Sequence, residues 1–136
     1  ASRSSRCSSD PGAGVAVSIT VAVGVSEEPG RPGFLLNINA DTAAGEVARA
    51  MGAERLIILT DVEGILDGSR RLIPRLTQRQ AVELKNSRVV AGGMIPKIEA
   101  CLRALECGAF TQIIDGRKAG ALSESMNGKP IGTRIG

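Results

Sequence analysis

The stretch "NINADTAAGEVARAMGA", Asn37 to Ala53, sets Asn37, Asn39 and Asp41 at the head of a run of small residues. Downstream, Thr60 and Asp61 close an apolar run, and "AGGMIPK" places Gly92 and Gly93 ahead of Lys97. In open α/β sheets, ligands lie beyond the carboxyl ends of the strands. Glycines before a helix allow close backbone approach, the helix N-terminus favours anions, and a lysine in the first turn adds a full positive charge. If the three groups converge on one sheet edge, the combination suits phosphate. Each part also has a purely structural use. Asp41 reads first as a helix N-cap, Asn37 and Asn39 as side chains that satisfy turn backbone, and Asp61 as an Asx-turn. Gly92-Gly93 reads as a turn and Lys97 as a solvated charge. Spacing alone therefore supports an anion-binding α/β domain.

Absences narrow the chemistry further. The sequence has no histidine, which excludes Ser-His-Asp triads, Cys-His pairs, His-ligated zinc and imidazole bases. Cys7, Cys101 and Cys107 show no C-x-x-C spacing and read as free, buried or incidental thiols in a reducing compartment. Neither G-x-x-x-x-G-K-[ST] nor G-x-G-x-x-G after a strand is present, so a nucleotide site here is of another type. Phe34 and Phe110 are the only aromatic residues, and the net charge of +3 comes from interspersed acids and bases; both features argue against a nucleic-acid partner. No apolar run approaches the ~20 residues of a membrane span. No membrane partner is expected.

The elements that must position these residues follow from periodicity. Residues 1–14, "ASRSSRCSSDPGAG", offer nothing to bury and are expected to be disordered or ragged. Val15 to Val25 alternates with period two and predicts a strand in a sheet interior, with "FLLNI" as its return. Ala44, Val47, Ala48 and Met51 form the stripe of a helix ending near Gly52. "RLIILTD" predicts a buried strand, Asp67-Gly68 a small hairpin, and Thr77 with Gln80 a capping box opening a helix through Lys85. Ile98, Cys101, Leu102 and Leu105 mark another helix, with Pro96 suited to its first position; "AFTQIID" is a strand and "GALSESM" a short helix. Strands alternating with helices predict an α/β fold with a mainly parallel sheet.

"NINADTAAGEVARAMGAERLIILTDVEGIL", followed by "GGMIPKIEACLRAL" and "IIDGR…GTRI", strongly resembles the carboxyl-terminal, nucleotide-binding half of the N-acetylglutamate kinases of the amino-acid kinase family. The resemblance implies a three-layer α/β/α sandwich, incomplete at the amino-terminal side. It makes residues 15–136 the nucleotide-binding portion of a kinase-like domain. It also implies that Asn37 contacts the acetylated amino acid, Asp41 organises the catalytic lysines and Lys97 stabilises the transferring phosphoryl group. Asp61, Val62, Glu63, Gly64, Ile65 and Leu66 resemble one nucleotide-contacting segment, with Thr60 beside it. Val89, Val90 and Ala91, with Gly93 and Met94, resemble another.

The implied reaction moves the γ-phosphoryl of ATP, with Mg2+ held mainly by the nucleotide phosphates and by no protein metal site, to the side-chain carboxylate of N-acetyl-L-glutamate. The family's amino-terminal half supplies further lysine and glycine-rich phosphate contacts, so the implied turnover of this short chain is impaired. A sister kinase acting on carrier-protein-bound aminoadipate or glutamate, and a non-catalytic nucleotide-binding or regulatory module, remain open. The resemblance further implies a homo-oligomer at full length and a cytoplasmic location, or a plastid or mitochondrion if residues 1–9 are a transit-peptide remnant.

Overall fold

A computed structural model describes residues 17–19, 22–30, 33–87, 89–90 and 92–136. The ragged segment expected at 1–14, residues 15–16 and 20–21 of the strand expected from Val15, and Ala91 lie outside the described residues, and residues 17–19 carry no regular structure. Six strands and four helices follow in order: β1 Ala22–Val25, β2 Leu35–Ile38, α1 Ala40–Met51, β3 Arg55–Thr60, β4 Arg75–Leu76, α2 Gln78–Ser87, α3 Met94–Leu105, β5 Phe110–Asp115, α4 Ala121–Met126 and β6 Thr133–Ile135.

The main sheet runs β3-β5-β6-β4. β3 is parallel to β5 and β4 to β6, and one antiparallel pairing, β5 with β6, joins the two halves. The architecture is α/β with a mixed, mostly parallel sheet. Alternation along β5 sorts its two faces. Ile113 packs with Ile98 and Cys101 of α3 and with Ala81 of α2. Gln112, on the opposite face, accepts a hydrogen bond from Ser125 of α4. Helices thus cover both faces. The core lies on the α3 side, where Ile65, Ile98, Ile113 and Ile135 are fully buried. Each such side chain contributes about 1.5–3 kcal/mol of burial.

Three expectations are corrected. The first strand does not sit in a sheet interior among the described residues: β1 pairs antiparallel with β2 alone, and Val25 and Leu35 are 61% and 70% exposed. β3 is buried on one face only. Ile58 packs into the core, while Leu59 faces the α4 side, which that six-residue helix covers in part, and is 50% exposed. The buried stripe of α1 is centred on Gly45 and Ala48 and leaves Val47 and Met51 exposed, because α1 lies flat against α3 rather than straight down on the sheet. Other local signals appear as expected. Gly52 ends α1 in the left-handed conformation. Thr77 and Gln80 exchange both capping-box hydrogen bonds at 2.9 and 3.1 Å. The Asp67 carboxylate accepts from the Ser69 and Arg71 amides in the Leu66–Leu72 hairpin. Pro96 is the third rather than the first residue of α3, still within the turn whose N–H groups lack helical partners.

Candidate active site

Asp41 and Lys97 meet. Lys97 Nζ donates to Asp41 Oδ2 at 2.9 Å, and the two side chains are only 20% and 21% exposed. Asp41 sits in the first turn of α1 and Lys97 in the first turn of α3, so the contact brings two helix N-termini to one locus. Further contacts run in the same order down both helices. Gly45 abuts Ala100, Glu46 accepts from Arg103 at 2.5 Å, and the Cys107 thiol reaches the Ala48 carbonyl. α1 and α3 are therefore parallel neighbours, with their positive dipole ends side by side. A carboxylate is favoured at such an end and a lysine is not. Asp41 offsets part of that positive field and fixes the ammonium in place.

Asp41 is not the cap of α1. Asn39 is the N-cap, its Oδ1 accepting from the Thr42 amide at 3.1 Å, which leaves the Asp41 carboxylate free to cross to α3. An asparagine three residues before a threonine in "NADT" was the available signal. Asn37 lies on β2, exposed, opposite Val23.

The other candidates fall into separate groups. Thr60 ends β3, and its hydroxyl donates to the exposed Asp61 at 3.5 Å. Asp61 and Glu63 stand within electrostatic reach of Arg117, beyond the carboxyl end of β5. Val62 is half-buried against the core, and the Ile65 side chain is fully buried. Gly64 has φ +156° and stands where a Cβ would meet Thr133 Oγ1 at 2.8 Å; the next amide, of Ile65, donates to that same oxygen. Leu66 belongs to the hairpin bridge with Leu72. The side chain and both backbone groups of Ile65 are thus committed to structure, its carbonyl accepting from the Ile73 amide, while Asp61 and Glu63 stay exposed.

Val89 is exposed and Val90 buried, and Met94 is buried as the first residue of α3. Val90 and Gly92, with Lys85, Asn86, Ile95 and Glu99, line a concavity of about 570 Å³ between α2 and α3. Ile95 and Glu99 lie on the flank of α3 opposite Lys97, by helical geometry. Around Gly92 and Gly93 nothing stands within 4 Å of where a Cβ would project, and no side chain caps the first amides of α3. The approach to those amides is open, which fits a phosphate group. Among the described residues no cluster of three His, Cys, Asp or Glu side chains could hold a metal ion, and no helix is long and apolar enough to cross a membrane.

A residue the sequence reading passed over is Asp115, which ends β5 and is 7% exposed at its side chain. Arg117 grips it through two side-chain hydrogen bonds at 3.0 Å and a backbone one at 2.9 Å, and these hold its carboxyl at about 2. The Asp-x-Arg spacing after a strand was the signal. Glu46 is likewise held below the usual carboxylate range by its hydrogen bond from Arg103. Burial pushes the Cys101 thiol up to about 12.

The profile of the amino acid kinase family matches residues 14–115. The chain belongs to the amino acid kinase family. It is 45% identical over 121 residues to the acetylglutamate kinase of Wolinella succinogenes, covering 88% of this chain and 42% of that one. Among solved members of the fold it resembles N-acetylglutamate synthase from Neisseria gonorrhoeae complexed with coenzyme A and L-arginine. That match has 32% identity and a TM-score of 0.66 over 76% of this chain and 24% of the other. It also resembles Giardia carbamate kinase, at 26% identity and a TM-score of 0.66 over 79% of this chain and 38% of the other. The chain spans less than half the length of each of these relatives.

Proposed function

We propose that this chain carries the nucleotide-side half of an acetylglutamate kinase site, which transfers the γ-phosphoryl of ATP to the side-chain carboxylate of N-acetyl-L-glutamate in arginine biosynthesis. The observation that carries this reading is the Lys97–Asp41 pair between two converging helix N-termini. An acceptor carboxylate with a free pKa near ~4.3 is already ionised at neutral pH, so the site needs no general base. What it must supply is alignment and positive charge for a loose phosphoryl-transfer transition state. Lys97 supplies the charge, Asp41 holds it in place, and the open amides at Gly93 and Met94 add the α3 dipole. ATP, when bound, brings the transferable phosphoryl group and Mg2+ on its phosphates; the exposed Asp61 and Glu63 of the segment Asp61 to Leu66 face its other parts, with Val89 and Val90 ahead of α3. Asn37 is assigned to the acyl amino acid. The acetylglutamate kinase relatives support a small-molecule substrate, and the proposal extends to a homo-oligomer at full length and a cytoplasmic setting.

Calorimetry with Mg-ATP, run beside an ADP-release assay with N-acetyl-L-glutamate, tests this reading. The chain should bind the nucleotide weakly and turn over little, while Lys97→Met should abolish what turnover there is and weaken binding far less. Equal turnover by Lys97→Met would overturn the assignment. The match to the Neisseria synthase favours one second reading, a kinase-like regulatory module, and nucleotide binding without any turnover, even with a complementary amino-terminal half supplied, would select it.

A further inference from the structure

Every described lysine and arginine on α1, α2 and α3 meets a carboxylate. Arg55, Arg75 and Arg134, on the strands, meet none among the described residues. Register and alternation place all three on one face. Arg55 pairs with Phe110, Gln112 on the same side of β5 pairs with Arg134, and Arg134 pairs with Arg75. This is the α4 face, opposite the one that carries Lys97. The Arg55 guanidinium carbon lies 5.0 Å from the Phe110 ring centroid, and that of Arg134 lies 4.7 Å from it. The two approach from the strands on either side, β3 and β6. Arg75 makes only a long contact of 3.5 Å to the Gly136 carbonyl.

We propose that Arg55, Arg134 and Arg75, organised around Phe110, form a second anion site that binds a small, multiply charged oxyanion, a phosphate ester or a polycarboxylate. Guanidinium is charged at every physiological pH and presents planar forks of donors that match oxyanions in pairs. Stacking on a ring engages its face and leaves its donor edges outward, so little orientational freedom is left to lose on binding. No acceptor among the described residues takes the donors of Arg55 or Arg134, and three like charges on one face favour an anion between them. The site is distinct from the kinase locus. Arg55 and Phe110 begin their strands while Thr60 and Asp115 end them, ~17 Å away at strand rise.

The test is NMR titration of the whole chain with tripolyphosphate and with citrate, at ionic strength matched by sodium chloride. Saturable shifts of the Arg55 and Arg134 Nε–H signals and of the Phe110 ring are expected with at least one of the two anions, and which of them saturates at lower concentration separates phosphate from carboxylate ligands. R55Q with R134Q should weaken the apparent Kd at least tenfold. R55K with R134K, which keeps the charge and removes the forks, should weaken it several-fold, and both pairs should keep the native amide spectrum because these side chains are exposed. Shifts that stay linear, that sodium chloride reproduces, or that persist unchanged in R55Q with R134Q would overturn the proposal. So would tripolyphosphate shifts confined to the α3 amides. None of these outcomes depends on turnover, so the kinase assignment stands or falls separately.

Discussion

Replacing Gly45 by alanine asks one methyl group to enter the crossing of α1 and α3. Its Cβ would stand 2.8 Å from Ala100 Cα, 2.9 Å from the Ala100 carbonyl oxygen and 3.1 Å from Ala100 Cβ. Ordinary carbon contacts lie near ~3.5–4.0 Å, so the helices must part by ~0.7 Å or more, and it is backbone that has to move. Overpacking of this kind costs about 1–3 kcal/mol, and alanine's better helix propensity returns about 0.8–1.0. A net loss of about 1 kcal/mol is expected, or ~3–6 °C in Tm for a domain of this size. Ala50→Gly, at an exposed position on the same helix, isolates the propensity contribution. Parting the helices also carries the Lys97–Asp41 contact from 2.9 Å to the limit of hydrogen bonding. Lys97→Met should therefore destabilise the Gly45→Ala background less than it destabilises the native chain. Thermal melts of the native chain, Gly45→Ala, Lys97→Met, the double variant and Ala50→Gly measure both effects. A Gly45→Ala chain melting at or above the native one would show that propensity dominates and that the crossing is not tight.

Asn39→Ala should lower stability by about 0.5–2 kcal/mol through loss of the α1 cap, whereas Asp41→Asn should lower it less and abolish the turnover proposed above, and melts beside ADP release separate the two. Because Asp115 is held at about 2, below its ordinary 3.8, its stabilising contribution is present above that ordinary value and is lost as pH falls toward 2. Tm differences between the native chain and Arg117→Gln should accordingly be constant from ~pH 7 to ~pH 5 and shrink below ~pH 4. Cys101, buried and with its thiol pushed up to about 12, should resist alkylation in the native chain while the half-buried Cys107 reacts. Peptide mass mapping after brief labelling, native and in urea, checks this, and equal native labelling of the two would contradict it.

The sequence exposed what is decided locally. Thr77 and Gln80 form their box from four consecutive residues, Gly52 ends α1 because the left-handed conformation suits glycine, and the apolar period of Ile98, Cys101 and Leu105 is that of α3. Asp41 and Lys97 were chosen through family resemblance, and their contact spans fifty-six positions, which no local pattern encodes. The cap went to Asn39 because two side chains of similar capping power stood two residues apart, and only the path of the chain into α1 decides between them. Period two in Val15 to Val25 predicts one strand, of which Ala22–Val25 forms β1 while residues 17–19 carry no regular structure; alternation says nothing of which strand will be the neighbour, and β1 joined a ribbon rather than the sheet. Gly45 looked like one small residue among several. Its importance lies in Ala100, on another helix.

β3 has a ladder partner on one side only among the described residues, since it stands at the end of the order β3-β5-β6-β4. In a parallel pairing successive amides point alternately toward and away from the neighbour. Amide exchange along Arg55–Thr60 should therefore alternate between slow and fast with a period of two, even though its inward side chains share one core. The fast class is an internal reporter. Any strand that added to that edge, from this protein or another, would turn the outward amides slow one by one, so the exchange pattern of six residues records whether the sheet continues in solution.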